Sequence, residues 1–198
     1  MRPTSTPSIR RPKPAGFTLI ETSLAIVIVG VGVLSIVAAQ QAYHQKNDYA
    51  LRTGTAQQLA QELRERLAGL PHHDPHINPF VTGVFGLDAG ETRGNLADYD
   101  DLEDFAGTVD VTGFGDGEEF NPPIAADGTV ITELTQWTQR VEVVKVFADD
   151  ISMTSGLPVS YQDPSDPPMM RVTVEVYHQT PNDAQRRLIT TLTWVEPG

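Results

Sequence analysis

Cysteine is absent from this 198-residue chain, which excludes disulfide bonds and a cysteine nucleophile. Basic residues are scarce: 14 lysines and arginines stand against 26 aspartates and glutamates, a net charge of −12. Such a polyanion is not built to neutralise phosphates, so no nucleic-acid partner is expected. Recognisable catalytic signatures are missing too. There is no G-x-S-x-G, no H-E-x-x-H and no glycine-rich phosphate loop, and serine and histidine are scattered without a local pattern. A hydrolase needs a nucleophile beside a positioned base, or a metal with an open position. Nothing in the sequence supplies either, and an enzyme is not expected. There are no internal repeats.

Long apolar runs are also few, and the one present dominates the chain. Residues 17–39 hold a single charge, Glu21. As a helix this stretch measures roughly 35 Å, enough to cross a hydrocarbon core of about 30 Å. Lipid offers backbone polar groups no other partner, so a single crossing must be helical. A carboxylate inside such a segment is costly and marks function. The segment before it holds Arg2, Arg10, Arg11 and Lys13, no acids and four prolines. That composition belongs on the cytoplasmic side of the inner membrane, with the remainder of the chain across it. An ordinary secretory signal, cleaved after Val37-Ala38-Ala39, is the alternative. Its apolar core spans 7–15 residues, shorter than this one, and would not open on a glutamate.

The hexapeptide Gly16-Phe17-Thr18-Leu19-Ile20-Glu21 resembles the prepilin signature of type IV pilins and type II secretion pseudopilins. The resemblance implies that a prepilin peptidase cuts between Gly16 and Phe17 and that Phe17 becomes the methylated N-terminus. It also implies that Glu21, the fifth mature residue, serves assembly with other pilins or pseudopilins. Gly30 falls where pilins often carry glycine, whereas Ala38 replaces the proline many of them have. Loss of the leader leaves 10 basic against 26 acidic side chains, a net charge of −16. That polyanion argues against the DNA-uptake role of some minor pilins. Many major pilins staple a C-terminal loop with a disulfide; the lack of cysteine favours a minor pilin or pseudopilin.

The helix is expected to continue over residues 40–71, since no proline interrupts it before Pro71. Ala56, Leu59, Leu63, Leu67 and Leu70 recur at spacings of three and four, one apolar stripe. Gly54, between Thr53 and Thr55, is its soft point. Beyond it, His72-His73-Asp74-Pro75-His76 suggests a metal site. Histidines near a helix C-terminus also suit its negative end, and adjacent side chains on a turn rarely converge on one ion.

Residues 95–105 are the second informative stretch, with Asp98, Asp100, Asp101, Glu103 and Asp104 inside seven positions. The segment resembles an acidic loop found in minor pilins of the mannose-sensitive haemagglutinin class. Leu102 and Phe105 are its expected inward anchors. Without a cation, five carboxylates repel and the loop should splay as a solvated acidic face. Calcium, which takes six to eight oxygens in irregular geometry, is the one cofactor the composition suggests. The spacing is not that of an EF-hand.

Strand patterns then cover 108–112, 129–134 and, most strongly, 137–147, 170–178 and 188–195. In 137–147 the valines slip from one parity to the other between Val143 and Val144, which suggests a bulge. Trp137 and Trp194 are expected in the core. The fold class is therefore α+β and pilin-like: a long N-terminal helix, membrane-spanning in its first half, packed on an antiparallel sheet. The domains read as leader 1–16, transmembrane helix 17–39, helix continuation 40–71, and acidic loop region plus sheet 72–198. Function follows as a subunit of a type IV pilus or type II secretion pseudopilus, with a filament-tip adhesin or cargo-binding module as the other class.

Overall fold

The computed structural model describes residues 16–72, 85–87, 90–108, 115–147, 150–152 and 169–196. The expected strand at 108–112 and His73, Asp74 and His76 lie outside these residues, apart from Thr108. The chain divides into two compact units, Met1–Asp48 and Tyr49–Gly198.

The first unit is helical. Helix α1 runs from Leu19 to Leu67, through Gly54 without a break, and so continues into the second unit. Its start is built from Thr18-Leu19-Ile20-Glu21, the T-x-x-E spacing of a capping box. Over residues 16–48 every side chain is exposed within the chain, from Phe17 and Leu19 to Val37. Helical geometry satisfies the backbone of this segment, while its apolar side chains have no partner in the described residues. That is the profile of a segment whose solvent is lipid.

In the second unit α1 becomes a core element. Ala56, Leu59, Ala60, Leu63 and Leu67 are buried, the stripe expected from their spacing with Ala60 added. Leu70 packs against it half-buried, beyond the helix end. Each fully buried leucine stabilises by about 1.5–3 kcal/mol. Gly69 and Pro71 close the helix, and the Pro71 carbonyl accepts the Leu102 N–H at 2.9 Å, tying the acidic loop to the helix exit.

The sheet facing α1 has four strands: β1 Glu118–Phe120, β2 Trp137–Val146, β3 Met169–His178 and β4 Arg187–Glu196. They lie in the order β1-β2-β3-β4, all antiparallel. Opposed residues share a face, so Gln139, Val141 and Val143 of β2 stand beside Val176, Val174 and Val172 of β3, all buried toward α1. On the opposite face Arg140 Nη1 meets Glu175 Oε2 at 3.1 Å, the Tyr177 hydroxyl donates to the same oxygen, and Arg186 pairs with Glu119.

Two strand expectations need correction. β2 pairs with β3 without a register shift; the irregularity lies between β3 and β4 at Val176/Tyr177. The valines of β2 change parity because its end is buried on both faces, with Val144 and Val146 as inaccessible as Val143. The stretch 129–134 forms a bridge, Ile124 to Val130, and then turns. Conversely β1 falls outside the expected strands, because three residues show too little alternation to be noticed.

One buried polar side chain locks the layers together. Gln139 is fully buried in β2; its Nε2 donates to the carbonyls of Leu59 and Ile124 at 2.8 and 3.1 Å, and its Oε1 accepts the Ile124 N–H at 2.7 Å. An amide with its partners satisfied specifies one register of helix on sheet.

Candidate functional site

Two groups of residues singled out in the sequence are described in turn, one in each unit. At the head of α1, Gly16 and Phe17 are exposed, Phe17 at 85 %. Nothing lies within 4 Å of where a Gly16 side chain would begin. The peptide bond between them is thus open to an enzyme approaching the helix start. Glu21 Oε2 accepts the Thr18 N–H at 3.0 Å and the Thr18 hydroxyl at 3.1 Å, while Thr18 Oγ1 faces the Glu21 N–H at 3.3 Å. The carboxylate therefore sits at the positive end of its own helix, satisfying the Thr18 N–H, which has no intrahelical partner. Among the described residues no cation pairs with it. The arrangement keeps one negative charge at the edge of an apolar segment, beside the residue that becomes the N-terminus if the leader is removed.

In the second unit the acidic stretch does not splay. Asp101, Glu103 and Asp104 are 3 %, 6 % and 1 % exposed. The anchors Leu102 and Phe105 are buried as expected, and the Phe105 ring meets Tyr99 edge-on at 5.0 Å. Driving those apolar side chains inward carries the carboxylates between them along. Glu103 opens a short 3-10 turn, Glu103–Ala106, and pairs with Lys145 of β2 at 3.3 Å. Burial pulls the Lys145 ammonium down from its ordinary range, and Glu103 opposes that shift. The Lys145 ammonium also lies 4.7 Å from the centre of the Phe85 ring.

Asp101 and Asp104 close on each other's backbone. Asp101 Oδ1 accepts the Asp104 N–H at 3.1 Å; Asp104 Oδ2 accepts the N–H groups of Asp100 and Asp101 at 2.9 and 3.1 Å. Asp98 is drawn off to the Thr92 N–H at 3.0 Å. The structure instead brings Glu91 beside Asp104, where it adds to the raised pKa of that carboxyl. Glu91, Asp100 and Asp104 each bring an oxygen within 4.8 Å of the others. Of the five carboxylates the sequence suggested for calcium, two share this group, Asp101 faces the backbone beside it, and Asp98 and Glu103 are directed elsewhere.

Packing also raises the proton affinity of these carboxyls. Burial, helped by the charges of Asp104 and Glu103, pushes Asp101 up to about 8. Burial likewise pushes Asp104 up to about 7, with Glu91 adding to the shift. Carboxylates held this close disfavour each other's ionised form.

Arg93, which no sequence pattern marked, clamps the far side of the loop. Its Nε lies 2.6 Å from Glu118 Oε1, its Nη1 donates to Asp116 Oδ2 at 2.9 Å, and its Nη2 donates to the Gly117 carbonyl at 2.8 Å. Neither Glu91 nor Arg93 carried a local signal, since tertiary folding alone brings each to its partners. Thr18, not singled out either, does carry a local signal: it stands three residues before Glu21, the spacing of a capping box.

A family model, the prokaryotic N-terminal methylation motif, matches residues 11–37. Searches of curated proteins and of solved structures gave no match. The matched segment spans the end of the basic leader, the Gly16–Phe17 bond, Glu21 and most of the exposed apolar helix. The chain therefore carries the type IV pilin-like prepilin signature, at the head of an N-terminal apolar helix that fits single-pass membrane anchoring.

Proposed function

We propose that this chain is a minor pilin or pseudopilin, processed by prepilin peptidase and assembled into, or priming, a type IV pilus or type II secretion pseudopilus. The observation that carries this is a coincidence in one segment. The methylation motif, the exposed Gly16–Phe17 bond and an apolar helix with no partner among the described residues all fall together. The leader, with Arg2, Arg10, Arg11 and Lys13, stays in the cytoplasm, and the Tyr49–Gly198 unit lies across the inner membrane. Removal of the leader frees the Phe17 amine. Glu21 then has an alternative to Thr18: the amine of a neighbouring subunit, a charge pair strengthened by the low dielectric of a helix bundle.

The absence of cysteine and the excess of acids favour a minor or pseudopilin role over that of main filament subunit. The family implied by the motif is structural, and the acidic loop is built from groups that face one another and the backbone.

Mass spectrometry of the membrane-extracted protein tests the proposal. Wild type should begin at a methylated Phe17, and Gly16→Val should be heavier by the 16-residue leader yet still inserted. A wild-type chain beginning at Gln40 would overturn the proposal in favour of an ordinary signal peptide.

A further inference from the structure

The two edges of the sheet are built in opposite ways. β1 is three residues long and carries Glu118 and Glu119. Shortness and charge are two of the devices that keep a strand edge from recruiting another chain. β4 is ten residues long, and from Leu188 to Val195 it contains no charge, glycine or proline. Its irregularity lies near its start, opposite Val176/Tyr177, leaving Thr190 to Val195 regular. Among the described residues no strand pairs with its outer edge. Leu188 is half exposed, and Thr191 and Thr193 are exposed. Beside the edge, between β4 and α1, runs a groove of roughly 430 Å³ lined by Gln57, Gln58, Gln61, Thr190, Thr191 and Leu192. Amide and hydroxyl groups of this kind offer hydrogen bonds to a peptide laid against them.

We infer that the outer edge of β4 is a docking site for an extended segment of a sibling filament subunit. That segment runs antiparallel to β4, is uncharged and β-branched at its centre, and carries an acid beside Arg187 and a base beside Glu196. The charge pattern of the edge selects it. Arg187 opens β4 with its side chain 74 % exposed and only a 3.6 Å pairing to Asp183, and Glu196, one of whose oxygens accepts the Trp194 indole N–H at 2.7 Å, closes it. A second copy of this chain fits poorly. Its β1 edge offers three residues and two acids. Like-charged heads, each with 25 acids against 10 basic residues over 40–198, also repel. Strand addition of this kind draws affinity from main-chain hydrogen bonds and specificity from alternate side chains. Confinement in a filament raises the effective concentration, so a modest intrinsic affinity suffices.

That the partner is a filament sibling rests on the proposed function; the pairing capacity of the edge does not, and the experiment addresses the edge alone. The probe is the synthetic peptide Lys-Thr-Val-Thr-Val-Thr-Val-Thr-Val-Glu, titrated into the full chain in detergent micelles and followed by amide hydrogen exchange. Expected is slowed exchange at alternate amides of β4, with affinity about five- to tenfold above that of the same peptide with its end charges exchanged. A peptide with proline at its centre should give no protection. The double variant Arg187→Glu with Glu196→Arg should invert the preference between the two charged peptides, a result that loss of folding cannot imitate. Absent protection, equal binding of all three peptides, or an unchanged preference in the double variant would each overturn the inference.

Discussion

Asp101 offers the sharpest test of how the acidic loop is held. Its carboxyl is buried, accepts the Asp104 N–H, and has Asp104 and Glu103 as negative neighbours. In the folded chain it titrates at about 8, against an ordinary 3.8. A raised carboxyl pKa means that the fold favours the protonated form. The stability it contributes is complete below pH ~3.8 and is lost as pH rises through about 8. Between pH 5.5 and 8 the linkage amounts to ~3 kcal/mol if the loop keeps its place, at ~1.4 kcal/mol per unit. For a head of this size that corresponds to about 6–12 °C in Tm. Asp104, held near 7 by burial and Glu91, adds to the same trend. His178 acts in the other direction: burial beside Trp137 and the charge of Arg52 lower its pKa, so its contribution is lost as pH falls below ~6.5. The window from pH 6.5 to 8 therefore isolates the carboxyls. Fluorescence of the buried Trp137, in the full chain in micelles, reports the melt. Wild type should lose stability steadily across that window, and Asp101→Asn, which removes the titrating group, should flatten the slope and melt higher at pH 8. A wild-type Tm constant or rising over the window, or an unchanged slope in Asp101→Asn, would refute the reasoning.

Glu21→Ala removes the only acid of the membrane segment; it should be processed and inserted normally yet recovered at reduced levels in sheared filaments, by immunoblot. Gln139→Leu orphans the buried Ile124 N–H and unlatches the sheet from the Leu59 carbonyl, so it should cost ~2–4 kcal/mol in a chemical melt. Gly117 has a φ of +73°, and a side chain there would begin 2.4 Å from the Val141 carbonyl oxygen; Gly117→Ala should cost ~2–4 kcal/mol and fail to bury Trp137 at 37 °C. Millimolar calcium, competing with protons for Glu91, Asp100 and Asp104, should raise the Tm at pH 8 more than at pH 6, and Glu91→Gln should abolish the difference; equal melts with and without calcium leave protons as the neutraliser.

The elements legible in the sequence were those whose burial repeats along the chain. The stripe Ala56, Leu59, Leu63 and Leu67 announced which face of α1 turns inward, and β3, alternating from Met170 to His178, was equally plain. β2 was recognised as a strand but misread in detail, because burial on both faces at Val143, Val144 and Val146 erases alternation and imitates a bulge. β1 escaped because its three residues take their place from pairing with Gln139, Arg140 and Val141 rather than from their own pattern.

The acidic loop misled for a different reason. Charge density along the chain suggested repulsion and solvent, and counted neither protons nor apolar anchors. Leu102 and Phe105 are 1 % and 0 % exposed, and two such side chains supply about 3–6 kcal/mol of burial. The carboxyls between these anchors are carried inward with them, and burial raises the pKa of Asp101 and Asp104 as a result. The loop is then stable in proportion to how well its charge is neutralised. Sequence distance also hid Glu91, nine residues before Asp100, and Arg93, whose partners Asp116 and Glu118 lie more than twenty residues on. At the N-terminus the opposite holds. Gly16, Phe17, Thr18 and Glu21 work through bonds and contacts no longer than one helical turn, so their arrangement stands in the sequence itself, whereas everything that tells the head apart from other acidic heads is written in contacts the chain makes only once folded.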